Sequence, residues 1–294
     1  MTIQSRERTL DLRGLKIAAR EWGDKDKRPK VMALHGWLDN AASFDGLIPL
    51  LGDGLHVVAL DLPGHGRSEG RATMDAYHFV DWVDVIMEAA DQLEWPKFSL
   101  LGHSMGAAIA TLAAPVMSDR VERVVMIDGL GPWSDPDEEV VDRLGRALKQ
   151  ERALRRRQSR RYDSQEAMVD VLGQSRQGVD ERRLEGLLER MIRRDDDGRW
   201  YFGLDPKLKA TSRVRLTEKQ VLAFLGAIEC PVLLVRPDQG WPVPEAVARR
   251  RRSAITDLEF LEVAGHHHVH LEAPQRLADE VGRFLREKIM GNKN

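Results

Sequence analysis

The chain has 294 residues, of which 42% are hydrophobic and 31% charged, enough for one large α/β domain or for a core domain carrying an insertion. A formal charge of −2 and a pI near 6.5 give no global pull toward nucleic acid or an acidic membrane surface. A single cysteine, Cys230, excludes an intrachain disulfide and fits a reducing compartment.

The opening segment MTIQSRERTLDLRG is too polar for a secretory signal. No apolar run approaches the roughly 20 residues of a membrane helix, so no membrane span and a cytoplasmic location are expected. Residues 8–22 alternate apolar and polar with a break at Gly14, which predicts an N-terminal β-hairpin. Short runs rich in Val, Leu and Ile follow at 31–34, 56–60, 98–101, 124–127, 232–235 and 260–263. Continuous apolar runs of this length suit parallel strands buried on both faces. Helical periods lie between them at 77–93, 107–117 and 275–289, the last with Leu277, Val281, Phe284, Leu285 and Ile289 on one side. Such alternation predicts a doubly wound, mostly parallel sheet with helices on both faces. From 132 to 228 no convincing strand is seen and charged helical patterns dominate, among them EAMVDVLGQS, ERRLEGLLERMIRR and TEKQVLAFLGAI. A loop of that length is foreign to a compact domain. Residues 132–228 therefore read as a helical cap inserted after the sixth strand, with 1–131 and 229–294 forming the core. Arginine runs at 155–157 (with Arg160 and Arg161) and at 249–252 are flanked by acidic residues and read as solvated helix faces. Cys230, ahead of Pro231 and an apolar strand, reads as a small buried residue.

Three motifs carry chemistry. Gly102-His103-Ser104-Met105-Gly106 stands between a predicted strand and a helix rich in small residues. A sharp strand-to-helix turn presents the Ser104 hydroxyl above the sheet edge, and the Met105 N–H at the new helix start could stabilise an oxyanion. His35-Gly36-Trp37 closes the strand at 31–34, so the Trp37 N–H is the candidate second oxyanion donor while His35 braces the turn. The loop Asp61-Leu62-Pro63-Gly64-His65-Gly66-Arg67-Ser68 reads as structural.

These motifs, with the C-terminal segment GHHHVHLEAP, resemble the α/β-hydrolase superfamily across nearly the whole chain. HGWLDNAASFDGLIPLL, DGLGP and DPKL…TEKQ look more narrowly like the serine hydrolase-like proteins. The resemblance implies an α/β-hydrolase fold and a Ser–acid–His order along the chain. Counting back from Glu272, it places the base at His267, with His268 as runner-up. The usual acid column falls on Gly240, a departure from the family pattern. Some members carry the acid at the end of the preceding strand, where this chain has Asp128; Asp238 is the alternative.

The expectation is a serine hydrolase of small-molecule carboxylic esters or thioesters, with Ser104, His267 and Asp128 as its triad. Trp37 and Met105 would form the oxyanion hole. No metal or organic cofactor is expected, because adjacent side chains among His266, His267, His268 and His270 point apart. A serine at the elbow also argues against dehalogenase or epoxide hydrolase chemistry. Hydrolysis of carbon–carbon bonds beside a ketone, or a ligand-binding module with an impaired triad, are the alternatives, and nucleic-acid binding is not expected. Trp133, Trp200, Tyr201 and Phe202 either line an apolar pocket or pack within the cap; the sequence names no substrate-binding residue and no oligomeric state.

Overall fold

A computed structural model describes residues 4–27, 29–71, 76–154 and 159–287. The strands are β1 (Arg6–Leu12), β2 (Leu15–Trp22), β3 (Lys30–Leu34), β4 (His56–Leu60), β5 (Phe98–His103), β6 (Val121–Ile127), β7 (Ile192–Arg194), β8 (Trp200–Phe202), β9 (Val232–Gln239) and β10 (Leu258–His266). Among the described residues eight of them form one sheet in the order β1-β2-β4-β3-β5-β6-β9-β10. The β1–β2 hairpin and the β2–β4 pairing are antiparallel, and every pair from β4 to β10 is parallel.

Because side chains alternate across a strand, each apolar run feeds two cores. Met32, Leu34, Val124, Met126, Val232 and Leu234 face one side. There they meet α1 (Asp81–Gln92), α2 (Met105–Val116) and α6 (Glu218–Gly226). Val31, Ala33, Val125, Ile127, Leu233 and Val235 face the other, against α9 (Gln275–Arg286). The apolar stripe of α9 is buried at Leu277, Val281, Phe284 and Leu285, while Ile289 lies outside the described residues. Helix α1 begins at Asp81 rather than at 77, because the Tyr77 hydroxyl is held by Asp205 Oδ2 at 2.8 Å and its ring stacks on Trp82. Cys230 is partly rather than fully buried, and desolvation raises its thiol to about 11, which leaves it a poor nucleophile. No helix among the described residues is long and apolar enough to cross a membrane.

Between β6 and β9 lie α3 (Val140–Leu154), α4 (Glu166–Gly173), α5 (Glu181–Met191), the β7–β8 hairpin and α6. The hairpin corrects the expectation of a strand-free segment. Its strands are three residues each, too short for an alternating pattern to register. Trp200 and Phe202 of β8 pack on a small core of Tyr162, Met168, Leu172, Leu184, Leu188 and Met191. Helix α6 opens with a capping box, Thr217 Oγ1 accepting from Gln220 N at 3.3 Å and Gln220 Oε1 from Thr217 N at 2.9 Å. Helix α3 is inverted: Arg143 and Glu151 are buried, paired with Asp135 and Arg213, while Val140, Val141, Leu144 and Leu148 are exposed.

The arginine run at 155–157 lies outside the described residues. The run at 249–252 falls on α7 (Glu245–Ala254), and there the solvated reading fails at one position. Arg251 is buried, donating to Leu130 O at 2.8 Å, Pro132 O at 3.0 Å and Glu218. Two further buried arginines fasten the segment to the sheet. Arg190 of α5 meets Asp61 at 2.8 Å with both side chains inaccessible, and Arg176 meets Asp39 at 3.0 Å. Asp61 also accepts from the Ala41 and Arg67 amides at 2.7 and 2.8 Å, which makes it the brace of its loop. Arg190→Ala leaves that carboxylate buried without its ion partner, so stability should fall by about 3–5 kcal/mol, read as a lower urea midpoint.

Candidate active site

The parallel strands end on one edge of the sheet, and the candidate residues sit in the turns that follow them. Strand β5 turns into α2 at Ser104, which has φ 50° and ψ −109°, a strained conformation for a residue with a side chain. The turn is tight because α2 crosses β3 closely: a Cβ on Gly106 would lie 2.0 Å from Leu34 O. The Ser104 amide donates to Ile127 O at 2.9 Å, which ties the turn to the end of β6.

His267 follows β10 and faces this hydroxyl. Its Nδ1 lies 2.5 Å from Asp128 Oδ2, and its Nε2 lies 3.0 Å from Ser104 Oγ. With Nδ1–H donating to the carboxylate, Nε2 is left to accept from the serine. Asp128 is buried at the end of β6 with φ 43°. Its carboxylate also accepts from the Trp241 amide at 2.7 Å and from Arg236 Nη1. Gly240 borders the same carboxylate, and a Cβ there would stand 2.5 Å from Asp128 Oδ1. The structure therefore brings Ser104, His267 and Asp128 together, an arrangement in which an imidazole can take a hydroxyl proton while a carboxylate fixes its tautomer.

Asp238 lies elsewhere, accepting from the Gly265 amide at 2.9 Å. His268 stands edge-on to His267, with ring centroids 4.9 Å apart, and it is His267 that meets Ser104. Met105 opens α2, so its N–H belongs to the first turn that a helix leaves without intrahelical partners. Trp37 follows Gly36, whose Cβ position lies 3.6 Å from Ser104 Cβ; the indole N–H donates to Leu208 O at 2.9 Å. His35 braces that turn, with Nδ1 donating to Gly36 O at 2.7 Å and Nε2 accepting from Leu62 N at 3.0 Å. Of the four aromatics considered for a pocket, Trp200 and Phe202 pack on the small core of the segment that joins β6 to β9, and Tyr201 lies under Arg161 at 4.2 Å. Trp133 alone of them is connected to the site, through Trp241, whose ring is 5.4 Å from that of His267.

Sequence reasoning missed Arg236, Trp241 and a buried polar cluster beneath His267. His103 Nε2 donates to His267 O at 2.8 Å, and its ring lies 4.0 Å from that of His270. His270 Nε2 bonds Ser43 Oγ at 2.6 Å, and Ser43 in turn faces Asp39. The cluster's residues stand in three motifs far apart in sequence, the histidine run, the elbow and the segment after His35, and nothing in those motifs shows that they meet. Among the described residues, two groupings have one metal-type donor per residue within 4.8 Å, His103 with His267 and His268, and Asp39 with His103 and His270. His267 is already committed on both nitrogens, and Asp39 is paired with Arg176.

A family model described as alpha/beta hydrolase fold matches residues 29–274. A serine hydrolase-like protein of Dictyostelium discoideum is 31% identical over 94% of this chain and 80% of its own. A probable serine hydrolase of Drosophila melanogaster is 33% identical over 92% of this chain and 85% of its own. The crystal structure of a hypothetical protein from Pseudomonas aeruginosa PAO1 superposes with a TM-score of 0.86 at 36% identity, covering 95% of this chain and 97% of that one.

The buried His65, His103 and His270 and the half-buried His268 are held neutral. Desolvation lowers His268 from 6.5 to about 4, lowers His65 and His270 to about 3, and lowers His103 well below its ordinary value. Asp39 is also desolvated, but Arg176 and the nearby imidazoles outweigh that and hold it at about 2. As pH falls below about 6.5 the unfolded chain takes up protons that the folded chain refuses. Stability should therefore fall as pH drops from about 6.5 toward 4, with no slope from these histidines above that window. Urea midpoints at pH 7.5, 6 and 5 check this, and His270→Gln should flatten the slope.

Proposed function

This chain belongs to the α/β hydrolase fold family, and on that premise we propose that it is a serine hydrolase that cleaves carboxylic esters or thioesters through an acyl-enzyme on Ser104. The observation that carries the reading is the hydrogen-bonded series from Asp128 to His267 to Ser104, at 2.5 and 3.0 Å. His267 takes the Ser104 proton as Oγ attacks the substrate carbonyl, and Asp128 stabilises the imidazolium that forms. The Trp37 and Met105 amides hold the developing oxyanion, each such donor contributing about 2.7–4 kcal/mol in the transition state. His267 then gives its proton to the departing alcohol or thiol, and activates the water that releases the acid. These steps use no metal or organic cofactor. In this reading residues 132–228 form a cap over the site and 1–131 with 229–294 form the hydrolase core, an assignment supported by the position of the segment between β6 and β9.

Intact mass after incubation with a fluorophosphonate tests the nucleophile. One adduct on the native chain and none on Ser104→Ala or His267→Ala is expected. A folded native chain that takes no adduct would overturn the hydrolase reading in favour of a binding module.

The acid assignment has its own check in ester turnover. Asp128→Asn should lower kcat by roughly three to four orders of magnitude, as expected when the imidazole loses the carboxylate that sets its tautomer. Asp238→Asn should stay within a few-fold of native, since that side chain is engaged with the Gly265 amide.

A further inference from the structure

The seven tryptophans divide sharply by location. Trp22, Trp82 and Trp95 are buried in the sheet cores, and Trp200 packs within the β6–β9 segment. The other three, Trp37, Trp133 and Trp241, are 54%, 58% and 46% exposed. All three lie in turns after parallel strands, β3, β6 and β9, on the edge that holds Ser104. An indole offers about 150–250 Å² for burial, so half-exposed rings gathered at one place forgo a large hydrophobic gain unless a ligand covers them.

Their arrangement gives a direction. The Trp241 ring stands 5.4 Å from the His267 ring, and Trp133 lies 5.8 Å beyond it at an interplanar angle of 33°. Arg215 lies over the Trp133 ring, 5.0 Å from its centroid. The same Arg215 borders a recess of about 300 Å³ with Val140, Val214, Arg143, Asp135 and Asp137. Two arginines meet two aspartates there, with Asp135 paired to both Arg143 and Arg215, so the recess favours an uncharged group.

Resting on the ester-hydrolase reading above, we propose that Trp241 and Trp133 form the wall for the alcohol part of the substrate, and that the substrates are esters of aromatic or longer alkyl alcohols. In acylation the Ser104 Oγ–carbonyl carbon bond forms and the carbonyl carbon–alkoxy bond breaks. The Ser104 proton passes through His267 Nε2 to the departing oxygen. The leaving group must therefore lie on the imidazole's side of the carbonyl, and Trp241 is the ring beside that imidazole. Trp133 and the recess extend the same surface away from the reacting atoms.

Two ester series on the full-length protein test the assignment. One is acetates of ethanol, butanol, hexanol and benzyl alcohol; the other is ethyl acetate, butanoate, hexanoate and benzoate. For the native chain kcat/KM should climb along the alcohol series, with about fourfold per methylene as the ceiling for full burial. Trp133→Ala and Trp241→Ala should each cut the hexyl-to-ethyl and benzyl-to-ethyl ratios by about fivefold or more, and Phe at either position should restore most of it. The acyl-series ratios should shift less than the alcohol ratios in both variants. Of the two, it is Trp241 whose amide donates to the Asp128 carboxylate, so Trp133→Ala reports on the wall even if Trp241→Ala disturbs that loop. A native chain labelled at Ser104 whose alcohol series is flat, or variants that change acyl rather than alcohol preference, would overturn this inference and leave the hydrolase reading standing. A native chain that is neither labelled nor active on any ester would overturn both.

Discussion

The close crossing of α2 over β3 governs the geometry of the site. With the Gly106 Cβ position only 2.0 Å from Leu34 O, no side chain fits between helix and strand. That contact brings the start of α2 beside the turn after β3. Ser104 is left at the junction with φ 50°, projecting from a backbone that cannot relax without separating the two elements. The strain is held by burial on both sides of the sheet, where the residues of β3, β5 and β6 are almost all inaccessible. A serine on a mobile loop would lose its register to an imidazole arriving from another strand; here both partners stand on ends of one sheet.

The position of the carboxylate follows from a second exclusion of volume. Asp128 and a side chain at 240 compete for one space, since a Cβ at 240 would overlap the carboxylate that is present. An acid after β6 therefore requires glycine in the turn after β9. That turn keeps a supporting role: its Trp241 amide donates to Asp128, while Arg236, inside β9, neutralises the carboxylate. A buried carboxylate facing an imidazole is costly unless further donors satisfy it, and these two supply that. With Asp128 in that space, the turn after β9 presents the Trp241 ring next to His267.

Much of the sheet could be read from the sequence, because a strand buried on both faces needs a continuous apolar run and a turn residue at its end. β4 matches its predicted span, β9 runs on past its apolar stretch through Arg236–Gln239, and β10 exceeds its predicted span at both ends, from Leu258 to His266. The elbow was legible for a related reason, since few sequences satisfy a strand, two glycines around a serine, and a small-residue helix at once. What remained hidden depends on contacts distant in sequence. Nothing local marks Arg236 as the partner of a residue 108 positions earlier, or Arg251 as buried among charged neighbours. The β7–β8 hairpin escaped notice because three-residue strands carry no period, and a charged helical pattern does not by itself show that α3 turns Arg143 and Glu151 inward.

The inward charges of the β6–β9 segment bear on how firmly it is joined to the core. Surface ion pairs would hold it weakly, by about 0–1 kcal/mol each, and would permit many positions. Arg190–Asp61 and Arg176–Asp39 are instead buried, so displacing either arginine leaves a desolvated carboxylate behind. Each carboxylate is also built into the core: Asp61 braces its loop through two amides, and Asp39 adjoins Ser43, His270 and His103, the last of which bonds the backbone of His267. The polar contacts that seat the segment thus run, without leaving the interior, to the residue that faces Ser104. A charged interior of this kind adds little net stability but penalises every alternative seating, so it holds the segment in one position on the core.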